Sequence, residues 1–272
     1  MGRGRRSGSN MEQHQPDRGR VPGASPPAAA PDEGERAVDL IGLCVRFGAT
    51  PALDDISLRV REGEIFGLVG REGAGKSVLL RSVVGHIEPS AGAISVFGAP
   101  PGAPESRARV AFLPDRFRPP GDLSGYEFLR VTLLMHGGSL DPAVVRNVAR
   151  SLDLEPGDLG RRVHECGKGI AQKLGLLAML LTDRPLLILD EPLSGLTPDA
   201  RAKVKQALIA YRDRGRTVLL ASDIASDHEG LCDRIAILRA GRLGYVGSIA
   251  DLCGRLGAPT LTTALLADRA PV

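Results

Sequence analysis

Gly70-Arg71-Glu72-Gly73-Ala74-Gly75-Lys76-Ser77 fits the pattern G-x-x-x-x-G-K-[ST] in full. Glycines at these spacings let successive backbone N–H groups close around phosphate oxygens. Lys76 would reach the outer phosphates, and the Ser77 hydroxyl would help hold Mg²⁺. A chance glycine-rich turn before a helix would share the glycines, but it would not require the Gly-Lys-Ser ending or the flanks described next. A second pair of chemical groups follows at Asp190 and Glu191, immediately after the apolar run Leu186-Leu187-Ile188-Leu189 and before Pro192. A strand buried on both faces delivers two such carboxylates together at its C-terminal end, where open parallel sheets place ligands. In that position Asp190 would accept from the Mg²⁺ hydration shell, and Glu191 would polarise the water that attacks a terminal phosphate.

These groups need elements to hold them. Ile65-Phe66-Gly67-Leu68-Val69 reads as a buried strand running into the glycine loop, and Val78, Leu79, Val83, Val84 and Ile87 recur at helical spacing after it. Ahead of this unit, Ile41, Leu43, Val45 and Phe47 are expected on one face of a first strand. Ile56, Leu58 and Val60 alternate with Ser57, Arg59 and Arg61 in a second. Further strands are expected at Ile94–Phe97, Val110–Leu113, Leu186–Leu189, Thr217–Leu220 and Ile235–Leu238. Helical periodicity runs from Ser124 to about Thr182. The pattern is therefore α/β, a core with a helical insertion. Residues 1–37, rich in Gly, Pro, Arg and Ser with Val21 as their one large aliphatic, read as a disordered arm. Residues 38–252 read as the nucleotide-binding domain. Residues 253–272 are expected to form a short terminal helix and tail.

Composition narrows the partners. Only 3% of the 272 residues are aromatic and none is Trp, so a base-stacking surface is not expected, and a net charge of +3 gives no reason to invoke nucleic acid. Cys44, Cys166, Cys232 and Cys253 are scattered without a C-x-x-C pair, which argues against a disulfide scaffold or zinc site and for a reducing cytoplasm. Apolar runs such as Leu176–Leu181 fall far short of the roughly 20 residues a membrane-spanning helix needs, and no signal-peptide core opens the chain. A membrane role would have to come through a partner.

From about Val38 to Leu252 the chain resembles the nucleotide-binding domain of ABC transporters. Gly70 to Ser77 matches the family's Walker A loop, Leu186 to Asp190 its Walker B strand, and Glu191 its catalytic glutamate. Cys166-Gly167-Lys168-Gly169-Ile170, continued by Gln172-Lys173-Leu174-Gly175-Leu176, lines up with the signature motif, whose helix is expected to start near Ile170. The resemblance implies an α/β fold with a P-loop NTPase core, an antiparallel β subdomain and a helical insertion at about 115–183, and it implies ATP with Mg²⁺ as ligands. Contacts would come from Phe47, Gly70, Arg71, Glu72, Gly73, Ala74, Gly75, Lys76, Ser77 and Val78, with Gly167 and Gly169 acting across a dimer. Catalysis would fall to Glu191 and Lys76, and the metal to Ser77, Asp190 and Asp115. Phe47 stands where the family stacks an aromatic ring on adenine, although a core Phe at a strand end reads equally well.

Departures gather around the terminal phosphate. The signature serine is Gly167, the metal-sensing glutamine falls at Asp115, the D-loop aspartate is Thr197, and the switch histidine is Asp223. His228, the imidazole nearest in sequence to Asp223, is expected to be an exposed surface residue. Binding groups remain, and hydrolysis is expected to be slow or supplied jointly with a partner cassette. The resemblance implies a partner membrane permease contacting residues 115–135, a second cassette completing each site, and a cytoplasmic protein held peripherally at the membrane. In that contact region Tyr126, Phe128 and Leu129 read as core residues before permease contacts. A regulatory or scaffolding cassette that binds ATP without transport is the alternative that the altered residues leave open.

Overall fold

In the computed structural model the described residues are 1–2 and 35–267; the expected N-terminal arm and the final tail residues lie almost wholly outside them. Two sheets organise the described residues from 35 onward. The smaller is antiparallel, with strand order β2-β1-β4, built from β1 (Arg36–Phe47), β2 (Thr50–Arg61) and β4 (Ala91–Val96). The larger has six strands in the order β5-β6-β7-β3-β8-β9. These are β3 (Ile65–Val69), β5 (Val110–Leu113), β6 (Leu186–Asp190), β7 (Thr217–Ser222), β8 (Arg234–Arg239) and β9 (Arg242–Gly247). Its pairs are parallel except at the β8–β9 edge. Strands β3, β6 and β7 are buried at every position, as four- to six-residue apolar runs covered on both faces must be.

The first strand departs from the expected face. Val38, Leu40, Leu43 and Val45 are buried, whereas Ile41 is 58% exposed and Phe47 56%. Gly42, at φ 56°, sits where the register with β2 slips between Leu40 and Leu43, and this bulge moves burial from even-numbered to odd-numbered positions. Ile41 thus turns outward, where a strict alternation had it facing inward with Leu43. In β2 the expected alternation is present: Ile56, Leu58 and Val60 are buried, and Ser57 and Arg61 are exposed.

Helix α1 (Lys76–Val83) leaves the glycine loop and packs with the antiparallel sheet over one face of the large sheet, through Leu79, Leu80, Leu68 and Leu219. Short α2 (Pro104–Arg107) leads into β5. The helical stretch then divides into α3 (Gly125–Met135), α4 (Pro142–Ser151), α5 (Pro156–Gly160), a 3-10 turn at Val163–Glu165, and α6 (Lys168–Leu181). Its breaks fall at Gly137-Gly138, and α4 and α5 each restart with a proline in the first turn. Ser124 caps α3 in a reciprocal capping box with Glu127. Phe128 and Leu129 lie in the core beneath, with Tyr126 packed against it, so these three face the protein's own interior. Helices α7 (Pro198–Arg212), α8 (Ala225–His228), α9 (Ile249–Leu256) and α10 (Leu261–Ala267) complete the described chain.

Candidate nucleotide site

Strands β6, β7 and β3 are neighbours and parallel, so their C-terminal ends open side by side: Asp190 pairs with Ala221 and Val69 with Ser222. The glycine loop, the Asp190-Glu191 pair and Asp223 therefore converge on one crevice of the sheet, the place an open α/β sheet offers a ligand. Tight packing explains two of the loop's three glycines. A Cβ on Gly70 would stand 2.6 Å from the Leu238 carbonyl, and one on Gly75, at φ 107°, would stand 2.8 Å from the Ala52 carbonyl.

Lys76 lies back along the loop. Its ammonium donates to the carbonyls of Gly70 at 2.8 Å and Arg71 at 3.4 Å, and stands 3.4 Å from Glu191 Oε1. Glu191 itself has a left-handed backbone, φ 49°, and accepts from the Asp223 backbone N–H at 3.0 Å. Burial raises its pKa above the ordinary glutamate value and the Asp223 charge adds to this, while Lys76 pulls the other way.

Asp190 is fully buried, and neither carboxylate oxygen has a hydrogen-bond partner among the described residues. Desolvation raises its pKa, and the Asp115 charge adds to this. The Ser77 hydroxyl stands near enough to offset part of the shift, although it makes no hydrogen bond of ordinary geometry. A buried carboxylate left without a donor is costly. One hard divalent cation shared with Ser77 would satisfy it, so the residues present fit Mg²⁺. Asp115, half-buried in the turn after β5, borders this group.

Val78 follows on α1 and packs against the core cluster, with its backbone in the helix rather than in the loop arch. Arg71 and Glu72 are exposed at the loop tip. Phe47, at 56% exposure, is not a core residue. It pairs with Thr50 at the start of β2, two residues before Ala52, whose carbonyl lies against Gly75.

The signature residues lie elsewhere. Gly167 is the N-cap of α6, which begins at Lys168, two positions before the expected start; a Cβ there would meet nothing within 4 Å. Gly169 faces the Gly195 carbonyl. No hydrogen bond between described residues ties either glycine to the phosphate loop of its own chain. Thr197 caps α7 by accepting from the Ala200 N–H at 3.4 Å.

His228 is the clear correction: it is fully buried, not a surface residue. Its Nε2–H donates to the Ser222 carbonyl at 3.3 Å, and its Nδ1 lies 3.5 Å from Cys232 Sγ. The ring occupies the space above Gly67, where a Cβ would stand 2.4 Å from Nδ1. Burial lowers its pKa from 6.5 to about 4. The ring is thus a neutral packing group beneath β3 and β7.

Other supports carry no motif. Gln172 on α6 donates to the Pro192 carbonyl at 3.0 Å and so pins the turn that carries Glu191. Asp227, buried, accepts from Ser222 Oγ at 2.8 Å and from Arg201 at 2.8 Å, and Arg201 also donates to the Leu196 carbonyl. This network ties the end of β7 to the segment before α7.

Residues 53–194 match the family model described as ABC transporter. The chain is 37% identical over 213 residues to the Nod factor export ATP-binding protein I of Rhizobium meliloti, covering 76% of this chain and 62% of that protein. The chain belongs to the ABC transporter family. It carries that family's ATP-binding domain. An uncharacterized ABC transporter ATP-binding protein of Synechocystis sp. is 34% identical, over 75% of this chain and 58% of the relative. The chain thus spans about three-fifths of the length of these curated relatives. Among solved structures, an ATP-binding subunit of an ABC transporter superposes with TM-score 0.76 at 28% identity, covering 85% of this chain and 98% of that one. The ADP conformation of another ATP-binding cassette, at 16% identity and TM-score 0.71, shows the same fold. In this ABC domain no described helix is long and apolar enough to cross a membrane.

Proposed function

We propose that this chain binds Mg-ATP at the crevice above β3, β6 and β7 and serves as the ATP-binding subunit of an export system, acting through a separate membrane permease. The observation that carries the reading is Asp190, buried without a hydrogen-bond donor beside Ser77 and Lys76. The backbone amides of Gly70 to Ser77 would hold the phosphates, with Lys76 leaving its loop carbonyls for the outer phosphates. Ser77, Asp190 and Asp115 would hold Mg²⁺, which when bound supplies charge neutralisation on the phosphate oxygens. Phe47 would stack on the base. Glu191 would orient and take a proton from the attacking water; its raised pKa and left-handed backbone suit a residue kept poised rather than relaxed.

Residues 38–252 form the cassette in this reading, with the helical insertion at 115–183 meeting the permease. Gly167 and Gly169, at the start of α6 and with no hydrogen bond to the chain's own phosphate loop among the described residues, would act on the nucleotide of a second cassette. The named export relatives support the transport role. The protein would sit in the cytoplasm, peripheral at the membrane through its permease. Slow hydrolysis follows from Gly167, Thr197 and Asp223, and these same residues favour the alternative of a regulatory cassette without transport.

Phosphate release by the purified chain, alone and with its permease, tests the proposal. Glu191→Gln is expected to lower turnover by about 10²-fold or more, the scale of a general base, while leaving Mg-ATP binding intact. Turnover unchanged by that substitution would remove Glu191 from the role.

A further inference from the structure

Arg116 follows Asp115 in the turn after β5, and its backbone is left-handed, φ 54°, although it carries a long side chain. Non-glycine residues in this region cost free energy and persist where the surroundings demand them. The guanidinium reaches two ways. Its Nε stands 3.5 Å from Asp115 Oδ2, and its Nη2 stands 4.0 Å from Glu72 Oε1 at the tip of the phosphate loop. It therefore spans the two loops that frame the mouth of the crevice. Arg116 is 82% exposed in its side chain and Glu72 91%, so these pairs are weak tethers rather than anchors.

Charge at the mouth favours a further cation. Asp115, the Asp190-Glu191 pair and Asp223 stand at or just after the ends of the neighbouring parallel strands β5, β6 and β7, and the Lys76 ammonium lies 3.4 Å from Glu191. A terminal phosphate arriving here adds negative charge. Position 223 answers it with a carboxylate, and Gly167 has no hydroxyl to offer from a second cassette. Arginine is suited to the task because its planar fork of donors matches two phosphate oxygens at once and stays charged at any working pH.

We propose that Arg116 leaves Glu72 and Asp115 to grip the terminal phosphate of the bound nucleoside triphosphate, supplying within the same chain the cation that Asp223 does not. The inference rests on the nucleotide site proposed above. Its consequence is selective, because a diphosphate lacks the group that Arg116 holds.

Calorimetry on the full chain with Mg-ADP and with a non-hydrolysable ATP analogue, Mg-AMP-PNP, separates the possibilities. Arg116→Ala is expected to weaken AMP-PNP at least about tenfold, the worth of a charge-assisted contact, and to leave ADP affinity unchanged. Arg116→Lys should retain part of the preference, as a point charge without the fork. ADP binding serves as the check that the loop remains folded. Equal weakening of both nucleotides, or no effect on either, overturns the role of Arg116. Wild-type protein that binds neither nucleotide overturns the site itself, a result distinct from normal ADP binding with an inert arginine.

Discussion

Asp223 follows the last residue of β7, where the proposed reading needs a group to steady a terminal phosphate. Two unit charges 4 Å apart at an effective dielectric of 20 repel by roughly 4 kcal/mol. Its carboxylate already unsettles Glu191, whose Oε1 accepts the Asp223 backbone N–H. Asp223→His should raise turnover of the purified chain by about tenfold or more, since each 1.4 kcal/mol removed from the barrier is a factor of ten; equal or lower phosphate release would show that another group already balances the charge. His228 makes a different prediction. Its pKa is depressed in the fold from 6.5 to about 4, so the unfolded chain binds the extra proton between those values. Stability from this group is present above pH 6.5 and is lost as the pH falls through that window, at up to about 1.4 kcal/mol for each pH step of one. Urea midpoints measured from pH 7 to 4.5 should fall, and His228→Gln should flatten the slope; an unchanged slope would mean that the ring does not drive it. That Lys76 would open the helix after the glycine loop and Asp190 end a buried strand was legible, because the motif spacing and the apolar run state those placements. The burial of His228 was not, because a short polar helix in sequence does not announce that Gly67, far upstream, leaves room for a ring.

At the scale of elements, the strands carrying the site are continuous apolar runs, and such runs can be read without knowing their neighbours. Ile188 and Leu219 are buried because the sheet is covered twice, by α1 with the small sheet on one face and by the α6 and α7 side on the other. What escaped reading were the links between elements. The Gly42 bulge reverses the face of β1 through a register slip that pattern counting does not see. Gln172 is one of three polar side chains on α6, beside Lys168 and Lys173, and it fastens the helix to the Pro192 carbonyl and so to the turn holding Glu191 at φ 49°. Gln172→Ala should lower unfolding stability by about 0.5–1.5 kcal/mol, the net worth of one hydrogen bond. It should also reduce turnover more than it reduces nucleotide affinity. Loss of affinity with turnover per bound nucleotide intact would place Gln172 in binding rather than in positioning Glu191.

For the whole molecule, both sheets and the helical insertion meet around one crevice, and the family match, from residue 53 to 194, takes in the phosphate loop and β6 but stops short of β7 and Asp223. The chain's phosphate loop and its own α6 N-terminus are separate features, which is why a head-to-tail pair of cassettes completes each site in the proposed reading. Every role proposed for these residues depends on capture of a nucleotide's phosphates by the loop amides, Lys76 and an Asp190-bound cation. Titration calorimetry of the wild-type chain and Lys76→Ala with ADP, in the presence and absence of Mg²⁺, addresses this most directly. Magnesium-dependent heat is expected from the wild type, with affinity at least about tenfold weaker in Lys76→Ala, the loss expected of a charge-assisted contact. No heat from the wild type with ADP and Mg²⁺ would contradict phosphate capture at this loop.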